Sequence, residues 1–269
     1  MKRSVVLTIC LLASTALWAQ TTKTSKPPAT TKRTTPATAA KKEMAVPFAT
    51  GEVLEFDVGW SSYLTAGTAT VSVKEKKPSY DSVAYYVVAE GQPTPLLSKL
   101  YTLYYKADSL IDAYSLLPQR GSLYVREGKR QRMKTTTFNQ AAKTAKYEVQ
   151  TATRVERDLS IPAFTQDALS ALYVLRSIPM KPGEKFNMPV TDAGDIYKVQ
   201  MQVGVVEPVK SGIGTVNGLK IVPVVTTTKG TPPRGLALWL SDDARRLPLK
   251  IEAQLAVGKF TVTLRSARP

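Results

Sequence analysis

The chain has 269 residues, with 37 basic against 21 acidic side chains, a net charge of +16, one cysteine and no histidine. The missing imidazole excludes Ser-His-Asp and Cys-His nucleophile systems, histidine acid–base catalysis and the usual histidine-containing zinc sites. A single cysteine excludes an internal disulfide framework, so the fold must rest on its apolar core.

The N-terminus opens with Lys2-Arg3, continues through an uncharged apolar run from Ser4 to Leu17, and reaches small residues around Ala19. This three-part layout predicts a signal peptide over 1–19, cleaved after Ala19, and hence an exported, periplasmic or secreted protein. The run falls short of the ~20 apolar residues needed to cross a bilayer, so no membrane span is expected once the leader is removed. Cys10 lies inside the leader, behind bulky Ile9, and is expected to leave with it.

Residues 20–45 are rich in Thr, Pro, Ala and Lys and hold no large aromatic side chain. Such a segment cannot bury enough apolar surface to offset chain entropy, and it is expected to be a disordered basic linker. Its cations suit peripheral contact with an anionic envelope surface, or simply a solvated spacer. Without leader and linker charges the folded part still carries a net +9, which fits an envelope partner and not nucleic acid.

Residues 46–269 are expected to form a single β-rich domain. Leu54, Phe56, Val58 and Trp60 alternate with polar residues or glycine, as do Ala69, Val71 and Val73. Val83 to Ala89, Lys198 to Val206, Leu219 to Thr228, Leu236 to Leu240, Leu249 to Leu255 and Phe260 to Leu264 continue the strand pattern. Glu127-Gly128 looks like a hairpin tip inside the densest basic stretch, Arg126 to Lys134. Asn217-Gly218 carries a two-residue hairpin signal, because both residues tolerate positive φ. Ser211-Gly212-Ile213-Gly214 lacks the third glycine of a phosphate loop and is expected to be a turn.

One long segment has helical spacing. Ala168, Ala171, Leu172 and Leu175 share a face, while Leu169, Tyr173 and Val174 extend the apolar surface around the helix. Thr165 is placed to cap its start, and Pro179 with Pro182-Gly183 ends it. A short helix is also expected over Pro95 to Tyr101. The predicted architecture is mainly β: a curved antiparallel sheet, or incompletely closed β-barrel, around one buried central helix at about 165–177.

Candidate ligand-binding residues are the aromatics Trp60, Tyr63 and Trp239, with Arg120, Arg176 and Arg246 as counter-charges to an anionic head group. The alternative places both tryptophans in the core and pairs the arginines with carboxylates. Asp242 and Asp243 are the candidate carboxylate pair of a hydrolase, although Ser241-Asp242-Asp243 equally suits a turn between strands. No catalytic residue, metal site or cofactor is assigned.

Ordered pieces of the chain resemble the exported bacterial family of domain of unknown function 3108. They include Gly51 to Trp60, Asp108 to Asp112, Gln166 to Arg176, Glu207-Pro208-Val209, Trp239 to Asp243 and Arg246-Leu247-Pro248. The resemblance implies export and a mainly β domain, and it brings no catalytic residues. The expected function is non-enzymatic binding or carriage of an amphiphilic ligand, lipid-like or glycan-like, in the cell envelope. Two alternatives stand beside it: an envelope assembly factor acting through protein contacts, and a carboxylate-dependent hydrolase. A large apolar cavity beside the central helix would favour the first reading.

Overall fold

The computed structural model describes residues 42–269, apart from 62, 63, 101, 227–233 and 256–257. The expected leader, the linker as far as 41 and Tyr63 lie outside the described residues. Lys41–Pro269 is one compact unit.

The strands are β1 (Val53–Trp60), β2 (Leu64–Ser79), β3 (Ser82–Pro93), β4 (Leu103–Asp112), β5 (Pro118–Glu127), β6 (Arg130–Asn139), β7 (Thr144–Gln150) and β8 (Arg154–Ser160). After them come β9 (Lys185–Asn187), β10 (Val190–Asp192), β11 (Asp195–Ser211), β12 (Gly214–Thr226), β13 (Arg234–Ser241), β14 (Pro248–Leu255) and β15 (Gly258–Arg268). Helix α1 (Pro95–Leu100) joins β3 to β4, and α2 (Ala168–Ser177) follows β8.

All 15 strands belong to one sheet, in the order β10-β11-β12-β13-β14-β15-β1-β2-β3-β4-β5-β6-β7-β8, with β9 on β11. Every neighbouring pair whose register is described is antiparallel. A sheet of more than ~10 twisted strands must curl, because strand twist accumulates across it. Here the edges β8 and β10 approach without a backbone ladder between them among the described residues. Side chains clasp the seam instead: Arg157 Nη1 donates to the Gly194 carbonyl at 3.1 Å and lies 3.7 Å from Asp195. Gln166, just before α2, bridges to Val190 of β10. The expected incompletely closed barrel with one buried helix is what the chain forms.

Helix α2 is buried because it is apolar on most sides. Tyr173 packs edge-on against Phe48, with ring centroids 4.6 Å apart, and Phe48 meets Tyr85 at 5.2 Å. Ala171 and Leu175 enter a second cluster with Leu219, Ile221, Leu238 and Leu240. At about 25 cal/mol per Å² of apolar surface, this two-sided burial is what holds the helix, since ten residues make a marginal helix on their own.

Two local expectations are corrected. The N-cap of α2 is Asp167 and not Thr165: Asp167 Oδ1 accepts from the Ser170 amide at 2.8 Å, and Ser170 Oγ accepts from the Asp167 amide at 2.9 Å. Thr165 is fully buried and donates to the Pro162 carbonyl at 2.7 Å. Asn217-Gly218 is not a turn, for both residues lie inside β12, opposite Pro208 and Glu207. The β11–β12 turn falls at Gly212-Ile213, between the paired residues Ser211 and Gly214.

Gly218 is required by close packing instead. A Cβ there would lie 2.9 Å from Val209 Cγ2 and 3.3 Å from Trp239 Cβ. The register slips between Val203 and Val206, and the tip of the hairpin reaches β15, where the Gly212 amide donates to the Leu264 carbonyl at 2.7 Å. Strands β13 and β14 intervene in the sheet order, so the hairpin folds back across them.

Candidate functional site

The start of α2 stands over small residues of the sheet. Ser109 of β4 pairs with Gly121 of β5, and Asp167 is seated on that pair. Its carboxylate accepts from Ser109 Oγ at 2.7 Å, and a Cβ on Gly121 would meet Asp167 Oδ2 at 2.6 Å. Glycine is therefore needed at 121 to admit the cap. Burial pushes the Asp167 carboxyl up from its ordinary value, while the Ser170 amide and the Ser109 and Ser170 hydroxyls pull against that rise.

Beside this cap the concave side of the barrel stays open as a cleft of about 180 Å³. Ala107, Gly121 and Leu123 form one wall, and Ala168 and Leu169 the other. Its polar residues are Asp108, Ser122, Lys134, Thr136, Asp167, Thr191 and Asp192. The Thr191 hydroxyl is buried and has no hydrogen-bond partner. Tyr147, which also lines the cleft, is buried. Its phenol is raised by that burial and by the carboxylates of Asp192 and Asp195, with Arg157 acting the other way. An apolar pocket with a few polar groups is the common form of a small-molecule site.

A wider surface groove of about 1150 Å³ runs past Tyr80, Asp112, Gln119 and Asn139. Its central carboxylate is already committed. Asp112 accepts from the Ser82 and Ser115 hydroxyls, from the Tyr114 and Ser115 amides and from Gln119 Nε2. Burial raises its pKa, but these donors outweigh burial and hold it below the ordinary value.

None of the seven described ligand-site candidates lines the cleft by the α2 cap, although Arg120 pairs with Asp108, which does. Trp60 ends β1, is 41% exposed and stacks on Phe260 with centroids 6.3 Å apart. Trp239 is buried between Lys220 and Lys250, each ammonium 5.0 Å from its ring, and its Nε1 donates to Glu207 at 2.6 Å. Arg120 pairs with Asp108 at 3.2 Å. Arg176 is fully buried, its Nη1 and Nη2 donating to the two oxygens of Glu52 at 2.6 and 2.7 Å. Its Nε donates to the Arg246 carbonyl at 3.2 Å, so Arg176 and Arg246 do meet, as parts of a structural latch.

The Asp pair serves the β13–β14 turn. Asp243 accepts from Ser241 Oγ at 2.7 Å and from the Arg245 amide at 3.0 Å, and Arg245 Nη2 lies 3.0 Å from its second oxygen. Burial raises the Asp243 carboxyl, and the Ser241 and Arg245 bonds more than reverse that, leaving it below its ordinary value. A general acid needs the opposite shift. Asp242 is exposed, and its amide donates to the Asn217 carbonyl at 2.8 Å.

Sequence reasoning missed Ala107, Gly121, Lys134, Tyr147 and Thr191. The signal for Gly121 was present, as a glycine within the alternating run of a strand, where close approach by another group is the usual reason. Among the described residues, no group of three or more Cys, Asp or Glu is placed to hold a metal ion, and no helix is long and apolar enough to cross a membrane.

Comparison with known proteins agrees with this architecture. The model of the family described as protein of unknown function DUF3108 matches residues 55–265. The chain belongs to that family. No curated protein matches the chain. Among solved structures, it is similar to a β-barrel-like protein of the domain of unknown function DUF1849 from Brucella abortus. The TM-score is 0.52 at 9% identity, covering 84% of this chain and 99% of that one. Weaker likenesses are to a candidate exported protein with a YmcC-like fold from Bacteroides fragilis and to a candidate lipoprotein from Parabacteroides distasonis. Their TM-scores are 0.34 and 0.33 at 12% and 9% identity, covering 85% and 84% of this chain and the whole of each match.

Proposed function

We propose that this member of the DUF3108 family is an exported, non-catalytic binding module of the bacterial envelope. It takes the apolar end of an amphiphilic ligand into the cleft beside α2. The cleft, though smaller than the large cavity expected from the sequence, carries this reading: small apolar residues from two walls leave about 180 Å³ unfilled beside a helix that is otherwise tightly packed. A volume below the ~300 Å³ of whole-ligand pockets suits part of a molecule, with the rest outside. Lys134 and Asp192 would then meet the polar portion at the rim. Export is supported by the cationic, apolar and small-residue pattern of residues 1–19.

The carboxylate-hydrolase reading finds little support at Asp242 and Asp243, since the Asp243 carboxylate is saturated by turn donors. Native mass spectrometry of the protein incubated with envelope lipid extract tests the proposal. A retained amphiphile, lost in Ala107→Phe, is expected. A protein that emerges without any adduct after such incubation would speak against it.

A further inference from the structure

The ends of β1, β5 and β14, the starts of β2, β6 and β15, and α1 share one end of the sheet. Thr94, just before α1, donates to Ala66 of β2 at 3.0 Å, and Gly128 at the β5–β6 tip donates to Thr102, just after α1, at 2.8 Å. Helix α1 is thus held between two hairpins, yet none of its residues is buried. Leu96 is 71% exposed and Leu100 79%. On the same end, Trp60 and Tyr105 are 41% and 42% exposed.

Leucines left in water on a fixed one-and-a-half-turn helix gain nothing from the fold. Their neighbours show what would cover them. The adjacent tip, Arg126 to Arg132, has four cations against one acid, Glu127. Glu127 is taken by Arg132 at 3.0 Å, whereas Lys99, Lys129 and Arg130 make no ion pair among the described residues. Apolar side chains ringed by free cations, with an aromatic at the margin, match an anionic lipid–water interface. The leucines enter the acyl boundary, and the cations stay at the head groups. A soluble protein partner would more usually leave a mixed-charge rim around the apolar centre.

We propose that this end, formed by α1 and the β5–β6 tip, docks the protein on an anionic membrane surface. The site is separate from the α2 cleft and needs no ligand in it.

The test is flotation of the full chain with vesicles of phosphatidylcholine containing phosphatidylglycerol, against phosphatidylcholine alone. Binding to the anionic vesicles is expected. Leu96→Glu with Leu100→Glu should weaken it by on the order of tenfold, since exposed leucines can be replaced without unfolding the sheet. Lys129→Glu with Arg130→Glu should weaken it similarly and flatten its salt dependence. All variants keep the same basic N-terminal segment, so the differences report this end of the sheet alone. Lys210→Glu, at the opposite end of β11, should bind as the parent does. Circular dichroism confirms that each variant is folded. Equal binding by the parent and both double variants, or no preference for anionic vesicles, overturns the proposal. Loss of binding in Ala107→Phe would instead attach membrane contact to the cleft, and likewise overturn it.

Discussion

Arg176 and Glu52 form a two-pronged ion pair in the interior, tying the last turn of α2 to the residue before the first strand, 124 positions earlier in the chain. Arg176 also holds the carbonyls of Arg245 and Arg246, so one guanidinium fixes the helix, the N-terminal segment and the β13–β14 turn.

Removing one partner should strand the other charge in a dry site. Glu52→Ala and Arg176→Ala are each expected to cost about 3–5 kcal/mol, because an uncompensated buried charge is far more costly than an absent pair. Combining Glu52→Ala with Arg176→Ala should cost less than the sum of the two single losses. Urea unfolding of the three variants measures this, and additive single-variant losses in the double variant would contradict the coupling.

Asp167 and Asp112 should give opposite pH signatures. Asp167 is raised in the folded state, so the stability linked to it is complete below the ordinary carboxylate pKa and is lost as pH rises through the folded value. Asp112 is lowered, so its contribution is present above the ordinary value and is lost as pH falls through the folded one. Asp112→Asn should therefore reduce the drop in stability on acidification, and Asp167→Asn should reduce the drop on passing from acid to neutral pH. Thermal melts between pH 3 and pH 7 (about the range of carboxylate titration) read both.

The folded-back β11–β12 hairpin makes a ranked prediction about glycines. Gly212→Ala places a Cβ 2.3 Å from the Arg265 carbonyl oxygen, a backbone atom that cannot swing away. Gly218→Ala meets side chains at 2.9 to 3.3 Å, which can yield at about 1–3 kcal/mol. At Gly128 nothing lies within 4 Å, and only its positive φ of 59° opposes a side chain. Alanine should destabilise in the order 212, then 218, then 128. A milder effect at 212 than at 128 would mean the hairpin does not fold back.

Much of the architecture could be read from residue pattern. Period-two alternation marked most strands, and the spacing of Ala168, Ala171 and Leu175 marked α2, because both signals are local. The cap was misplaced by two residues since Thr165 and Asp167 are both good N-caps; burial of Thr165 decides between them. Asn217-Gly218 misled for the converse reason. The dipeptide signals local freedom, whereas Gly218 answers to Val209, Trp239 and Leu249 from other strands. The Arg176–Glu52 pair and the wall of Ala107 and Gly121 were not legible, since each joins positions far apart in the chain.

The filling of the α2 cleft gives a stability prediction that does not depend on any ligand. Ala107→Phe directs a ring into space that is already empty, so its cost should stay within about 1–3 kcal/mol, the usual range for added bulk. The same change at buried Ala113 has no such space beside it and should cost more. Urea midpoints of the two variants decide the order.

The most direct test of the central claim is calorimetric titration of the purified protein with a short-chain single-tailed amphiphile below its micelle concentration, repeated with folded Ala107→Phe. Saturable binding with a negative heat-capacity change in the parent, weakened at least about tenfold in the variant, is the expected result, since that sign marks burial of apolar surface. Equal affinity in the two proteins would place the ligand elsewhere and contradict the assignment of the cleft.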